Sequence, residues 1–78
     1  MFDKLRNYVI NNDLEIHFIN NKINIVNYDE IILMEQDRIS IIKNNIIVVI
    51  KGNNLSLSKL LDKELLITGN IKLISWSD

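Results

Sequence analysis

The most constraining feature of this sequence is the run Ile-Ile-Val-Val-Ile at residues 46–50, which is apolar at every position. Isoleucine and valine favour the pleated strand over the helix, because branching at Cβ restricts their χ1 angle. Successive side chains of a strand point to opposite faces, so this strand needs protein on both sides. The run therefore predicts a central strand of a β-domain, covered by the same chain or by another.

Paired asparagines divide the rest of the chain into short segments. Asparagine tolerates positive φ and hydrogen-bonds to its own backbone, so these pairs predict turns. The segments between them alternate apolar and polar residues or are apolar throughout, as strands do. Together with turns at Gly52 and at Gly69-Asn70, the pattern predicts up to eight short strands in an antiparallel meander, forming a small barrel or a sandwich. The pairs are Asn11-Asn12, Asn20-Asn21, Asn44-Asn45 and Asn53-Asn54.

One stretch, residues 2–10, has helical rather than strand periodicity, since Phe2, Leu5 and Val9 share one side of a helix. So short a helix is marginal alone. We expect it to pack on the sheet as a lid, with a membrane-surface anchor as the alternative. The 78 residues then form one domain, with the helix and its lead-in over residues 1–12 and the sheet over residues 13–78.

The ionisable residues predict no enzyme and no cofactor. The chain has no cysteine, and its single histidine, His17, has no evident partners for a metal site or a catalytic pair. The net charge of −1 with interleaved signs argues against a nucleic-acid partner. Asp3, Lys4 and Arg6 interrupt the first ten residues, which therefore lack a signal-peptide core. We expect a cytoplasmic protein that binds or assembles.

A domain of this size is near the lower limit for folding on one core, so we expect it to self-associate or to bind a partner through its sheet. Ile47 and Val48 should point to opposite faces, one toward the core and the other toward a second layer. For Trp76 we favour a place in the core over the alternative role of interface anchor. The candidate interface or motif residues are Ile47, Val49, Lys51, Gly52, Leu55, Gly69 and Trp76.

Two short motifs follow the apolar run. Residues 51–55 read Lys-Gly-Asn-Asn-Leu, and residues 65–71 read Leu-Leu-Ile-Thr-Gly-Asn-Ile, before a hydrophobic stretch that ends at Trp76. Here the chain resembles the YabP/YqfC family of sporulation proteins, in which a strand runs into a Lys/Arg-Gly-x-x-Leu turn and a glycine-containing hairpin follows. The resemblance covers the last two thirds of the chain, and in length the chain is closer to YqfC.

This resemblance implies a non-enzymatic protein of the mother cell that takes part in assembly of the spore envelope, its coat or cortex. It implies a protein partner such as a sporulation membrane protein of the YqfD type, a place in the mother-cell cytoplasm or at the periphery of the forespore outer membrane, and no catalytic residues. A homo-oligomer is also compatible with it.

An Sm-like subunit of an RNA-binding ring is the alternative, because that architecture also places a short helix before a strongly bent sheet. The net charge of −1 and the 6% aromatic content disfavour it, since RNA binding uses basic and aromatic surfaces. A toxin–antitoxin or phage accessory module is a third hypothesis, and the sequence holds no feature that supports or excludes it.

Overall fold

The computed structural model of the chain describes residues 6–10 and 14–77, the first of these stretches by its backbone alone. All regular structure in these residues is β-strand, which confirms the prediction of an all-β domain. The strands are β1 (Arg6–Ile10), β2 (Leu14–Ile19), β3 (Lys22–Val26), β4 (Glu30–Met34), β5 (Arg38–Lys43), β6 (Ile46–Leu60) and β7 (Glu64–Ser77).

The strands form one antiparallel sheet in the order β1-β2-β3-β7-β6-β5-β4. This order differs from the predicted single meander, because β3 pairs with β7 and not with β4. The sheet therefore consists of two meanders, β1 to β3 and β4 to β7, joined by the ladder between residues 22–26 and residues 64–68. Among the described residues the outer strands β1 and β4 do not pair with each other, so the sheet is open.

The predicted N-terminal helix is wrong for residues 6–10, which form β1 and pair with β2 from Arg6↔Phe18 to Ile10↔Leu14. Val9 and Ile10 are β-branched and lose side-chain freedom in a helix. A helix this short also has too few internal hydrogen bonds to be stable, whereas the ladder with β2 satisfies the same backbone groups. Residues 1–5 and 11–13, which include Phe2 and Leu5, lie outside the described part of the chain.

The strands β6 and β7 are long because two predicted turns are instead bends within them. The ladder between β6 and β7 shifts register near residues 51–56, where Gly52 lies opposite Ile71 and Asn53 opposite Asn70. Each bend donates a backbone hydrogen bond to a carbonyl of a neighbouring turn. Gly52 N donates to Asp37 O at 3.1 Å, and Gly69 N donates to Asn21 O at 3.3 Å. A glycine inside a strand commonly marks such a bulge or close approach.

These bends divide the sheet into two parts that share one core. The first half-sheet consists of β1, β2, β3, residues 64–68 of β7 and residues 56–60 of β6. The second half-sheet consists of β4, β5, residues 46–51 of β6 and residues 71–77 of β7. Their inner faces contribute to a single hydrophobic cluster, with Ile16 and Ile25 from the first half-sheet and Ile41 and Val48 from the second, all fully buried. The bent sheet thus encloses its own core.

Two of the four asparagine pairs form the tight hairpins that the sequence predicts. Asn20-Asn21 joins β2 to β3 and Asn44-Asn45 joins β5 to β6, each as a two-residue loop between paired strand ends. The first asparagine of each pair has positive φ, 51° for Asn20 and 56° for Asn44. Asparagine adopts this backbone conformation at lower cost than most residues, because its short polar side chain can hydrogen-bond locally.

Asp29, in the connection before β4, bonds to the β5–β6 turn through its side chain. Its carboxylate accepts a hydrogen bond of 2.7 Å from Asn44 N and lies 3.5 Å from Lys43 Nζ. The pKa of Asp29 is lowered from its usual value chiefly by the Asn44 N–H; partial desolvation opposes this shift, and the charge of Lys43 adds to it. A carboxyl whose pKa falls on folding stabilises the folded state in its ionised form.

We therefore expect Asp29→Asn to lower the free energy of unfolding near neutral pH, and its deficit to shrink in acid. The wild-type advantage is complete above the unfolded-state pKa of Asp29 and is lost as the pH falls through the lower folded-state pKa. Urea unfolding from about pH 7 to about pH 2.5 measures this difference. Lys43→Gln is the control and should keep most of the pH dependence. A deficit that stays constant down to the lowest pH would contradict the assignment.

Candidate interaction surface

Strand alternation gives the second half-sheet an outer face that is also apolar. Because Val48 and Ile50 point into the core, Ile47 and Val49 point outward. Val48 is 0% exposed and Ile47 is 37% exposed, which confirms that these two neighbours occupy opposite faces. The described residues place no second layer over Ile47.

Cross-strand register shows how far this surface extends. On β5, Ser40 lies opposite Val49 and Ile42 lies opposite Ile47. The flanking strands add Leu33, opposite Ser40, and Leu73, opposite Lys51. Directly opposed residues lie on the same side of an antiparallel pair. We call this set the apolar outer face: Leu33, Ile42, Ile47, Val49 and Leu73.

The apolar outer face has a small residue, serine, at its centre and charged residues at its two ends. Ser40 is at its centre and is only 6% exposed, between Leu33 and Val49 in the ladder. At one end Glu30 lies opposite Ile42. At the other end Arg38 and Lys51 lie directly opposite each other, next to Leu73. On β7 two exposed serines border this face, Ser75 opposite Val49 and Ser77 opposite Ile47. The apolar residues therefore form a strip mainly on β4, β5 and β6, with charges of opposite sign at its two ends.

The outer face of the first half-sheet is different, because polar side chains there bond to one another. A His17 ring nitrogen lies 2.9 Å from a Glu15 carboxylate oxygen. Asn24 Nδ2 donates to Glu64 Oε2 at 2.9 Å. The hydroxyls of Ser58 and Thr68 are 2.7 Å apart. Asn24 Oδ1 is buried without a hydrogen-bond partner, but the other polar atoms named here are paired, so this face has less need of a partner than the apolar outer face.

The seven candidate interface or motif residues occupy four different places in the structure. Ile47, Val49 and Lys51 lie together on the second half-sheet, pointing outward. Gly52 and Gly69 lie at the two bends, each against the backbone of the other strand. Leu55 is 4% exposed and belongs to the core.

The last of the seven, Trp76, lies on the terminal part of β7, opposite Val48. It is on the core side of the second half-sheet but at its edge, and 44% of its surface is exposed. The expectation that Trp76 fills the core is therefore wrong. The physical reason is that residues 71–77 pair only with β6 among the described strands, so no neighbouring strand encloses the indole.

Sequence reasoning did not find four residues that complete the surface: Leu33, Arg38, Ile42 and Leu73. Their own segments alternate, and alternation shows that two faces exist without showing which strands are neighbours. One sequence signal could have found two of them. Residues 38–42 read Arg-Ile-Ser-Ile-Ile, so Arg38, Ser40 and Ile42 share one face of a strand that directly precedes the apolar run.

The described residues also limit the chemistry available. Within residues 14–77, whose side chains the structure describes, no three histidine or acidic side chains converge in a way that could hold a metal ion. In the same part of the chain no helix is long and apolar enough to cross a bilayer.

Comparisons with protein-family models, with curated proteins and with solved structures found no match for this chain.

Proposed function

We propose that this protein is a non-enzymatic assembly factor of the YabP/YqfC type, which takes part in building the spore envelope by binding another protein. The binding part of this proposal depends on one observation, the uncovered apolar outer face around Ile47 and Val49. An apolar surface flanked by polar residues is typical of protein interaction sites, because water contact with it is unfavourable.

The geometry around the core supports a binding role rather than a container for a small ligand. Apolar side chains from both half-sheets fill the interior as one cluster. We infer a small sandwich made from one bent sheet, not a barrel, because β1 and β4 stay unpaired in the described sheet. Such a fold offers its outer faces and edges to partners.

The sporulation part of the proposal rests on the two motifs. The Lys-Gly-Asn-Asn-Leu motif forms the bend of β6, and the glycine of the second motif forms the bend of β7. At the glycine of each motif, a Cβ would meet the backbone of the other strand. The motif residues thus have a shared structural role in this fold, and the partner-binding residues lie beside them.

The test is removal of the gene from a sporulating host and complementation with variants. We expect normal vegetative growth, few lysozyme-resistant spores, and a fluorescent fusion that surrounds the forespore. The wild-type gene and Ile19→Lys should restore resistance, because Ile19 is an exposed isoleucine outside the apolar outer face. Ile47→Lys should not.

Normal spores from the deleted strain would overturn the sporulation role. Micromolar binding of oligo-U by the purified protein at about 150 mM salt would favour the Sm-like alternative, because phosphate binding normally needs clustered Lys and Arg. We expect no such binding, given the net charge of −1.

A further inference from the structure

The charged residues at the ends of the apolar outer face indicate what kind of partner could bind there. Arg38 and Lys51 are exposed and directly opposed across the β5–β6 ladder. Like charges in this position repel each other. Among the described residues neither Arg38 nor Lys51 forms an ion pair, whereas Lys43, on the same strand as Arg38, pairs with Asp29. A negative group above Arg38 and Lys51 would relieve this repulsion.

A second copy of the same face is a poor occupant on charge grounds. Two copies can meet face to face about an axis parallel to the strands, between β5 and β6. This arrangement stacks Ile42 on Ile47 of the second copy but also brings both Arg38–Lys51 pairs together. An axis across the strands instead places Ile47 of one copy on Lys51 of the other. Each arrangement either opposes cations or buries a charge against an isoleucine.

An anionic lipid surface also fits poorly. Its charge has one sign, so it would attract Arg38 and Lys51 but repel Glu30 at the other end of the same face. A protein segment can instead match both ends, because its side chains differ along its length. The two-signed pattern therefore favours a polypeptide, and it also sets the direction in which that polypeptide lies.

We infer that the apolar outer face binds a segment of another protein that has apolar side chains along its length and an Asp or Glu at one end. Leu33, Ile42, Ile47 and Val49 contact the apolar side chains, and the carboxylate lies over Arg38 and Lys51. This inference rests on the proposed function, since it specifies the partner that such an assembly protein recognises.

A phage-displayed library of random peptides is the probe. We expect peptides selected on the wild-type protein to combine apolar residues with an acidic residue on one side. Ile47→Lys should abolish their binding, whereas Ile19→Lys should preserve it. The double variant Arg38→Glu with Lys51→Glu should lower the affinity for the acidic peptides at least tenfold. Peptides in which Lys replaces the acidic residue should bind that variant. Lys22→Glu with Lys59→Glu is the matched control, since both lysines are exposed on the first half-sheet.

Three outcomes would overturn this inference. If the selected peptides are apolar without acidic residues, and Ile47→Lys abolishes their binding, the proposed binding function stands but the acidic residue of the partner does not. If the protein cosediments with phosphatidylserine vesicles and no peptide is selected, the face binds lipid, and both the protein-binding function and the acidic partner are wrong. A dimer in sedimentation that dissociates on Ile47→Lys would identify a second copy as the occupant.

Discussion

Val48→Asp is expected to unfold this protein, whereas Ile47→Asp, one residue away, should leave it folded. Val48 is 0% exposed in the shared core, so the substitution removes apolar packing and buries a carboxylate without a partner. These two effects together cost about 4 kcal/mol or more. The whole domain has on the order of 5–15 kcal/mol of stability, and a chain this small lies near the lower limit.

Ile47 is the internal control for this experiment, because it belongs to the same strand and the same run of residues. It is 37% exposed on the apolar outer face, so its new carboxylate reaches water. The loss of strand propensity and of cross-strand packing should cost about 1 kcal/mol. Urea unfolding followed by circular dichroism measures both variants. Unfolding of both, or of neither, would contradict the assignment of the two faces.

Gly69→Ala and Gly52→Ala should each destabilise the fold by about 2–4 kcal/mol. A Cβ on Gly52 would clash with the carbonyl oxygen of Asn70, and one on Gly69 would lie 2.6 Å from that of Asn54. Both obstacles are backbone atoms, so no side chain can rotate away. Gly69 also has a φ of +136°, a conformation that alanine rarely adopts.

Asn53→Ala provides the control for the glycine variants. Asn53 lies in the same bend, opposite Asn70, and its side chain is exposed. Thermal unfolding should show a clear fall in Tm for both glycine variants and only a small change for Asn53→Ala. Glycine variants as stable as the wild type would show that β6 and β7 are not bent against each other at these residues.

The sequence predicted the local features well, because their causes are local. A positive φ at Asn20 and at Asn44 depends on the asparagine itself, and the neighbouring apolar runs select a hairpin. The strands at residues 38–43 and 64–68 follow from branched and alternating residues in the same way. The all-β class is a sum of such local preferences.

The bends show where local reasoning fails. Gly52-Asn53-Asn54 and Gly69-Asn70 contain the residues of tight turns, yet the chain continues in the same strand after each. Whether a glycine reverses the chain or bends it depends on the strand beside it. Here each bend lies against the other strand of one ladder: Gly52 contacts Asn70 and Ile71, and Gly69 contacts Asn54 and Leu55, so both bends form together. That relation spans sequence positions that no short window includes.

The apolar outer face could be identified from the sequence only in part, again because strand pairing is not a local property. An apolar run at residues 46–50 has two apolar faces wherever it lies, so Ile47 and Val49 could be identified without a structure. Leu33 and Leu73 join them only through the pairing of β4 with β5 and of β7 with β6. The opposed Arg38 and Lys51 likewise become a pair only once the register is known.

The ladder between β3 and β7 has a consequence for synthesis on the ribosome. The hairpin of β2 and β3 is complete early, but its inner side packs against Leu65 and Ile67 of β7, which are translated much later. Until then Ile16, Ile23 and Ile25 remain in contact with water or with a chaperone. Folding must therefore wait for residues 64–68, and a translational pause before them would prolong the period in which the nascent chain can aggregate.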